Sequence, residues 1–178
     1  MVEVSIPTLA SLKAIPYLTE SGQIPDVFEG KVGIYAIYDE SHTLQYIGFS
    51  RDAAIGLKQH LVRKHDACYW VKFQAIERPS RTLLEGIRNS WIAENGSVPP
   101  GNAEERTAWE KPIDAKQQMT EEERISIEKA DGADEIKLMK NVARRVQADV
   151  LEQLKARGVN MELRFNPKLK EDGLLDLK

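Results

Sequence analysis

The sequence predicts an α+β fold: a small, mainly antiparallel sheet flanked by helices, with a helical extension on the C-terminal side. Two observations support this prediction. Segments rich in β-branched and aromatic residues alternate with segments whose apolar residues recur at every third or fourth position. Between residues 31 and 102 the order is strand, strand, helix, strand, helix, which is typical of helices that cover an antiparallel sheet.

Two neighbouring segments predict a β-hairpin. "KVGIYAIYD" and "LQYIGFS" have the composition of strands, and the polar stretch "DESH" at 39–42 separates them as a turn. A four-residue loop fixes the pairing register, because the positions of facing residues in an antiparallel pair add to a constant.

The hairpin contains one tripeptide spelled in both directions, Gly-Ile-Tyr at 33–35 and Tyr-Ile-Gly at 46–48. With a loop at 39–42, Tyr35 lies opposite Tyr46 and the two glycines face each other on the same side of the sheet. We expect the glycines to leave a hollow beside the two phenols that admits a ligand close to the backbone. The alternative is that the tyrosines stabilise the sheet and the glycines mark a bulge.

Two helices and a third strand complete this part of the chain. The apolar spacing predicts a first helix over 52–64, and "CYWVKFQAIE" has the composition of a strand. The second helix begins after Ser80, a suitable N-cap, and "ENGSVPPGN" stops it.

Composition divides the chain into three segments. Residues 1–30, with three prolines, form an irregular N-terminal arm with a short helix near 9–13. Residues 31–112 form the α+β domain. Residues 113–178 form a charged helical extension, which we expect to pack on that domain.

The extension predicts a helix over 120–157 with a break near "DGAD". Apolar residues at 136–150 form a stripe that is covered by its own domain, or else by a partner helix or by a second copy of the chain through residues 134–157. The alternation in "VNMELRF" predicts a half-buried strand that can add to the edge of the sheet.

Composition indicates a globular protein, with 42% hydrophobic and 30% charged residues in a chain of 178. No apolar run is long enough to cross a membrane, the N-terminus lacks a secretory signal, and the single cysteine, Cys68, suits a reducing compartment. We therefore expect a cytoplasmic protein without a membrane partner. The net charge of -3 argues against tight non-specific binding of nucleic acid, although residues 31–102 are net positive.

The two tripeptides, ten residues apart and followed by a helix, a strand and a helix bearing Trp91, resemble the GIY-YIG nuclease superfamily over residues 31–102. "VPPGN" and "SRDAA" are similar to the N-terminal GIY-YIG-like domain of plant plastid monothiol glutaredoxins. Since no glutaredoxin domain follows in this sequence, we expect a free-standing relative of cyanobacterial origin.

The resemblance implies metal-dependent hydrolysis of DNA phosphodiester bonds, with Mg²⁺ or Mn²⁺ as cofactor and DNA as partner. It implies that Tyr35 acts as a base or orients the attacking water, and that Tyr46, His60 and Asn102 occupy further site positions. A phenol with a pKa near 10 is a poor base at neutral pH unless a cation stabilises its phenolate.

The chain departs from the family pattern at two chemical positions. The arginine expected on the first helix is Gly56, and the metal-binding glutamate expected on the second helix is Arg88. Arg51 or Arg63 can supply positive charge instead. Glu85, one turn before Arg88, is the candidate metal ligand, or else it pairs with Arg88. The candidate phosphate-binding residues are Gly33, Gly48, Arg51 and Arg88.

Three hypotheses follow. The first is a divalent-metal-dependent endonuclease with a degenerate active site. The second is a module that binds nucleic acid or another anion without cleaving it. The third is an assembly protein that acts through its C-terminal helix.

Overall fold

The computed structural model of the protein describes residues 6–178, and its α+β class is the predicted one. The chain forms two compact units, of which the first ends at Glu110 and the second spans Lys111–Lys178. Residues of the predicted N-terminal arm belong to the first unit, where Leu9 and Phe28 are buried.

The first unit contains a four-stranded antiparallel sheet in the order β1-β4-β2-β3. Its strands are β1 (Ile15–Pro16), β2 (Gly33–Tyr38), β3 (Leu44–Ser50) and β4 (Trp70–Ala75). The short strand β1 comes from the predicted arm and pairs with β4, so β3 is the other edge strand.

The helices of the first unit are α1 (Ala53–Arg63), α2 (Arg81–Asn95) and α3 (Arg106–Glu110). The Asp52 carboxylate caps α1 by accepting from the amides of the first turn, and the Ser80 hydroxyl caps α2 by accepting from the Leu83 amide. The predicted start of α2 after Ser80 is confirmed.

The two faces of the sheet meet different helices. On one face Ile34, Ala36 and Ile47 form a buried core with the apolar side of α2. Because side chains alternate along a strand, Tyr35 and Tyr46 point to the opposite face, where they contact His60 of α1.

The predicted hairpin register is wrong by two residues. Tyr35 lies opposite Gly48, and Tyr46 lies opposite Ile37. The two tyrosines are therefore diagonal neighbours, although they keep a common face because the shift is an even number of residues.

The loop explains the shift. Tyr38 pairs with Leu44, so the loop comprises residues 39–43, and a bulge between Ile37 and Tyr38 displaces the register by a further residue. The Asp39 carboxylate accepts from two loop amides, which stabilises this longer turn.

The expected hollow beside the glycines is absent. A Cβ atom built on Gly48 would lie 2.5 Å from the ring of Tyr46, and one built on Gly33 would lie 2.8 Å from the ring of Phe73. Neighbouring rings fill the space over both glycines. The glycines therefore permit close packing of aromatic side chains instead of admitting a ligand.

The second unit contains helices α4 (Glu121–Lys129) and α5 (Ala133–Ala156) and the paired strands β5 (Ile113–Asp114) and β6 (Leu174–Leu175). The predicted break near "DGAD" is confirmed. The predicted strand "VNMELRF" is wrong, because only Phe165 forms a β-bridge, with Leu177, and β5 pairs with β6 instead.

Helix α5 buries one face and leaves Ile136 and Leu151 exposed. Self-association through residues 134–157 stays a prediction. Within residues 6–178, the helices are too short or too polar to cross a membrane.

Candidate functional site

A chain of hydrogen bonds links Tyr35 on β2, His60 on α1 and the backbone of Trp109 on α3. The Tyr35 hydroxyl lies 2.8 Å from His60 Nε2, and His60 Nδ1 lies 3.0 Å from the Trp109 carbonyl oxygen. A carbonyl oxygen only accepts, so Nδ1 carries the proton and Nε2 accepts from the Tyr35 hydroxyl. The backbone of α3 thereby fixes the tautomer of His60.

Burial keeps both members of the Tyr35–His60 pair uncharged. Burial raises the pKa of Tyr35, and the positive charge of Arg63 opposes part of this rise. Burial, with a further contribution from Arg63, lowers the pKa of His60 to about 3, although its bond to Trp109 acts in the opposite direction. At neutral pH the proton therefore resides on Tyr35.

Tyr46 of β3 packs against the same residues. Tyr35, Tyr46, His60 and Trp109 together form the tyrosine cluster. The Tyr46 hydroxyl donates to Glu110 Oε1 at 3.0 Å, and Arg106 Nε donates to Glu110 Oε2 at 2.8 Å. The Tyr46 ring stacks on Trp109 with 5.0 Å between centroids and lies 4.8 Å from the ring of His60. Burial is the main cause that raises the pKa of Tyr46.

Arg63 brings positive charge to this cluster. Its guanidinium donates to the Trp109 carbonyl oxygen at 2.9 Å, so that oxygen accepts from both Arg63 and His60. Of the two arginines proposed to replace the missing one, Arg63 is the one that contacts the cluster.

Gly56 lies against the Tyr35 hydroxyl. A Cβ atom at Gly56 would lie 2.9 Å from that oxygen and 3.1 Å from Ser50 Cβ. Position 56, where the resemblance implies an arginine, therefore adjoins the phenol but holds a glycine. Tyr35 itself is only 2% exposed.

Asn102 forms hydrogen bonds with the backbone of the edge strand β3. Its Oδ1 accepts from the Ile47 amide and its Nδ2 donates to the Ile47 carbonyl, each at 2.8 Å. Both ends of the amide are thus engaged, and Asn102 holds β3 beside the tyrosine cluster.

Arg88 and Glu85 lie on α2, which covers the opposite face of the sheet from Tyr35. The Arg88 guanidinium lies 5.7 Å from the centroid of the Phe49 ring. Glu85 pairs with Arg81 at 2.8 Å and not with Arg88, and its hydrogen bond from Arg81 lowers the pKa of its carboxyl group.

Arg51 lines a groove of about 510 Å³ between the end of β3 and the start of α2. Val32, Phe49 and Leu84 supply its apolar part, and Ser50 and Arg81 are among its polar residues. Phe49 and Leu84 pack with the core on the α2 side, so the groove lies on the opposite face of the sheet from Tyr35.

The residues present offer limited coordination to a metal ion. Within residues 6–178, no three His, Cys, Asp or Glu side chains are grouped so as to hold one. Mg²⁺ keeps several waters in most sites, so a single carboxylate can anchor it. Glu110, whose two oxygens accept from Tyr46 and Arg106, is the carboxylate beside the tyrosine cluster, whereas Glu85 pairs with Arg81 on the other face of the sheet.

The sequence interpretation missed Trp109, Glu110 and Arg106. They follow an irregular loop and belong to a helix of five residues, too short to show an apolar period. Glu110 is 64 positions from Tyr46, and no local pattern links the two. The Arg106 to Glu110 spacing of four was the one available signal, and it is common on exposed helices.

No family model matches the chain. The chain is 34% identical over 102 residues to the bifunctional monothiol glutaredoxin-S16, chloroplastic, of Arabidopsis thaliana, in the N-terminal part of that protein. The match covers 55% of this chain and 33% of the relative, so the chain spans about a third of the relative's length. The predicted similarity to the N-terminal part of a plastid monothiol glutaredoxin is confirmed.

Proposed function

We propose that this protein is a GIY-YIG endonuclease that hydrolyses phosphodiester bonds of DNA with the help of a divalent metal ion. The observation that supports this most is the hydrogen bond from Tyr35 to His60, whose tautomer the Trp109 carbonyl fixes. It fixes the Tyr35 hydroxyl as the donor to a neutral imidazole, so the phenol oxygen is oriented to accept a hydrogen bond from water.

Tyr35 orients the attacking water in this proposal. Its proton points to His60, so the lone pairs of its oxygen are left to accept a hydrogen bond from water. As the water oxygen attacks phosphorus and the bond to the leaving oxygen breaks, the proton of the water passes to solvent, and Tyr35 keeps its own proton because the buried His60 is a poor acceptor at neutral pH. The leaving oxygen takes its proton from solvent.

Positive charge has to offset the charge that develops on the phosphate. Arg63 supplies positive charge beside Tyr35 and His60, because it shares the Trp109 carbonyl with His60. Mg²⁺ or Mn²⁺ held by Glu110 would supply Lewis-acid stabilisation of the phosphate oxygens. Arg106 of the i,i+4 pair is exposed and Glu110 is partly buried, so a metal ion at Glu110 would have to displace Arg106 from its second oxygen.

The relative's name supports a function other than glutaredoxin chemistry in the matched segment. That protein is called bifunctional, and one of its functions is that of a monothiol glutaredoxin. Cys68 of this chain is fully buried, and a buried thiol in a structural position is inert towards disulfide exchange.

A second candidate is a module that binds nucleic-acid phosphate without cleaving it. Two observations favour it: Gly56 stands at the arginine position, and Tyr35 and His60 are 2% and 6% exposed. In this arrangement a substrate does not reach the phenol unless the packing around Gly56 opens.

Nicking of supercoiled plasmid DNA tests the proposal, with Mg²⁺, Mn²⁺ or EDTA in parallel reactions. We expect nicking that requires the metal and falls at least tenfold in Glu110→Gln, while Glu85→Gln, its matched control on α2, stays near the wild-type rate. Nicking in EDTA, or an equal loss in both variants, would remove Glu110 as the anchor. Absence of nicking at every metal concentration would favour the second candidate.

A further inference from the structure

The groove lined by Phe49, Arg51 and Arg81 lies outside the tyrosine cluster, and the hydrolytic scheme does not use it. Its size, about 510 Å³, is within the range of about 300–1,000 Å³ that is usual for sites of small molecules. Arg51 and Arg81, at its mouth, are exposed. The groove is therefore open to solvent and large enough for one nucleotide.

The charges around the groove match an anion. Arg51 has no ion pair or hydrogen bond with another side chain among the described residues, and the Arg88 guanidinium lies 5.7 Å from the centroid of the Phe49 ring, which lines the groove. The two neighbouring carboxylates are already engaged: Asp52 caps α1, and Glu85 pairs with Arg81. The positive charge of Arg51 is thus left for a ligand.

The apolar part of the groove matches a flat ring. Val32, Phe49 and Leu84 line one side of it, and a nucleobase can pack against such a surface while its phosphate meets arginine. A base in a duplex is stacked on both faces and paired along its edge, so only an unpaired nucleotide can enter.

We propose that this groove binds an unpaired nucleotide of a nucleic-acid strand, with its base against Phe49 and Leu84 and its phosphate at Arg51. This deepens the proposed function by naming the form of nucleic acid bound, and rests on it only in taking nucleic acid as the ligand. Ser50 lines the groove at the end of β3, and Phe49 and Leu84 place it on the α2 face of the sheet, opposite the tyrosine cluster.

Fluorescence anisotropy with labelled oligonucleotides in EDTA tests binding separately from cleavage. The probes are a single strand, the same sequence as a duplex, and an abasic strand of equal length. We expect the full chain to bind the single strand at least tenfold more tightly than either other probe, because only the single strand offers an unpaired base for stacking.

The variant Arg51→Glu tests the contribution of one groove residue. Lys13→Glu is the matched control, because both positions are exposed in the first unit and, of the two, only Arg51 lines the groove. We expect Arg51→Glu to weaken single-strand binding at least tenfold and to reduce its salt dependence, while Lys13→Glu binds as wild type does. Equal binding of duplex and single strand, equal binding of the abasic strand, or no effect of Arg51→Glu would each overturn the inference.

The two proposals fail separately. Selective single-strand binding without any plasmid nicking would support the groove as a nucleotide site and contradict the proposed endonuclease activity. Metal-dependent nicking together with unselective binding would support the proposed endonuclease activity and contradict the groove as the nucleotide site.

Discussion

The hydroxyl of Tyr35 donates to Nε2 of His60 across 2.8 Å, between two side chains that are each more than nine-tenths buried. Burial disfavours the charged form of both, so it raises the pKa of the phenol and lowers that of the imidazole. The resting pair is therefore neutral and ordered at neutral pH.

The pKa of His60 predicts how stability depends on pH. Because the folded-state pKa of about 3 lies below the ordinary value of 6.5, the unfolded chain binds more protons between these values, and stability falls as the pH drops through this window. We expect wild type to lose about 2 kcal/mol between pH 7 and pH 5 from this group. Urea unfolding at both pH values measures the loss.

His60→Gln should remove that part of the pH dependence, and His42→Asn, at an exposed histidine of the hairpin loop, should retain it. The same change between pH 7 and pH 5 in His60→Gln and wild type would show that His60 is not the titrating group.

Two glycines within helices give a matched pair for the packing at Tyr35. Alanine is normally better than glycine inside a helix by about 1 kcal/mol, and a Cβ at Gly86 of α2 would meet no atom within 4 Å. A Cβ at Gly56 of α1 would lie 2.9 Å from the Tyr35 hydroxyl, which its bond to His60 holds in place. We therefore expect Gly86→Ala to stabilise the protein and Gly56→Ala to destabilise it by about 1 kcal/mol or more.

Chemical denaturation of the two variants beside wild type checks this difference in sign. A stabilising Gly56→Ala substitution would mean that Tyr35 moves aside easily, and that a larger residue at position 56 is tolerated.

Asn102 should contribute chiefly to stability. Asn102→Ala leaves the amide and carbonyl of buried Ile47 without their side-chain partners, which costs about 1–3 kcal/mol. Asn89→Ala, at an exposed position on α2, should change the unfolding free energy by less than about 0.5 kcal/mol. Equal stability of the two variants would contradict this role and favour the site role that the family resemblance implies for Asn102.

Local sequence signals were enough to predict three strands and two helices of the first unit, although they did not predict β1 or α3. The hairpin strands, α1 and α2 form where composition, apolar spacing and the caps Asp52 and Ser80 agree. These signals act within a few residues and depend little on the rest of the chain.

The pairing of those elements was less predictable. The register depends on the turn at Asp39 and on a bulge after Ile37, each of which moves it by one residue. The tyrosine cluster depends on Glu110 and Trp109, which meet β3 and α1 only through the tertiary fold. Spacing within the sequence carries no information about such contacts.

Plasmid nicking by Tyr35→Phe, beside wild type and Tyr38→Phe, tests the central claim most directly. Tyr35→Phe keeps the ring and removes only the hydroxyl bonded to His60, and Tyr38 is a half-buried tyrosine of the same strand on the other face. The proposal predicts metal-dependent nicking that falls at least a hundredfold in Tyr35→Phe and persists in Tyr38→Phe. Nicking at the wild-type rate by Tyr35→Phe would contradict it.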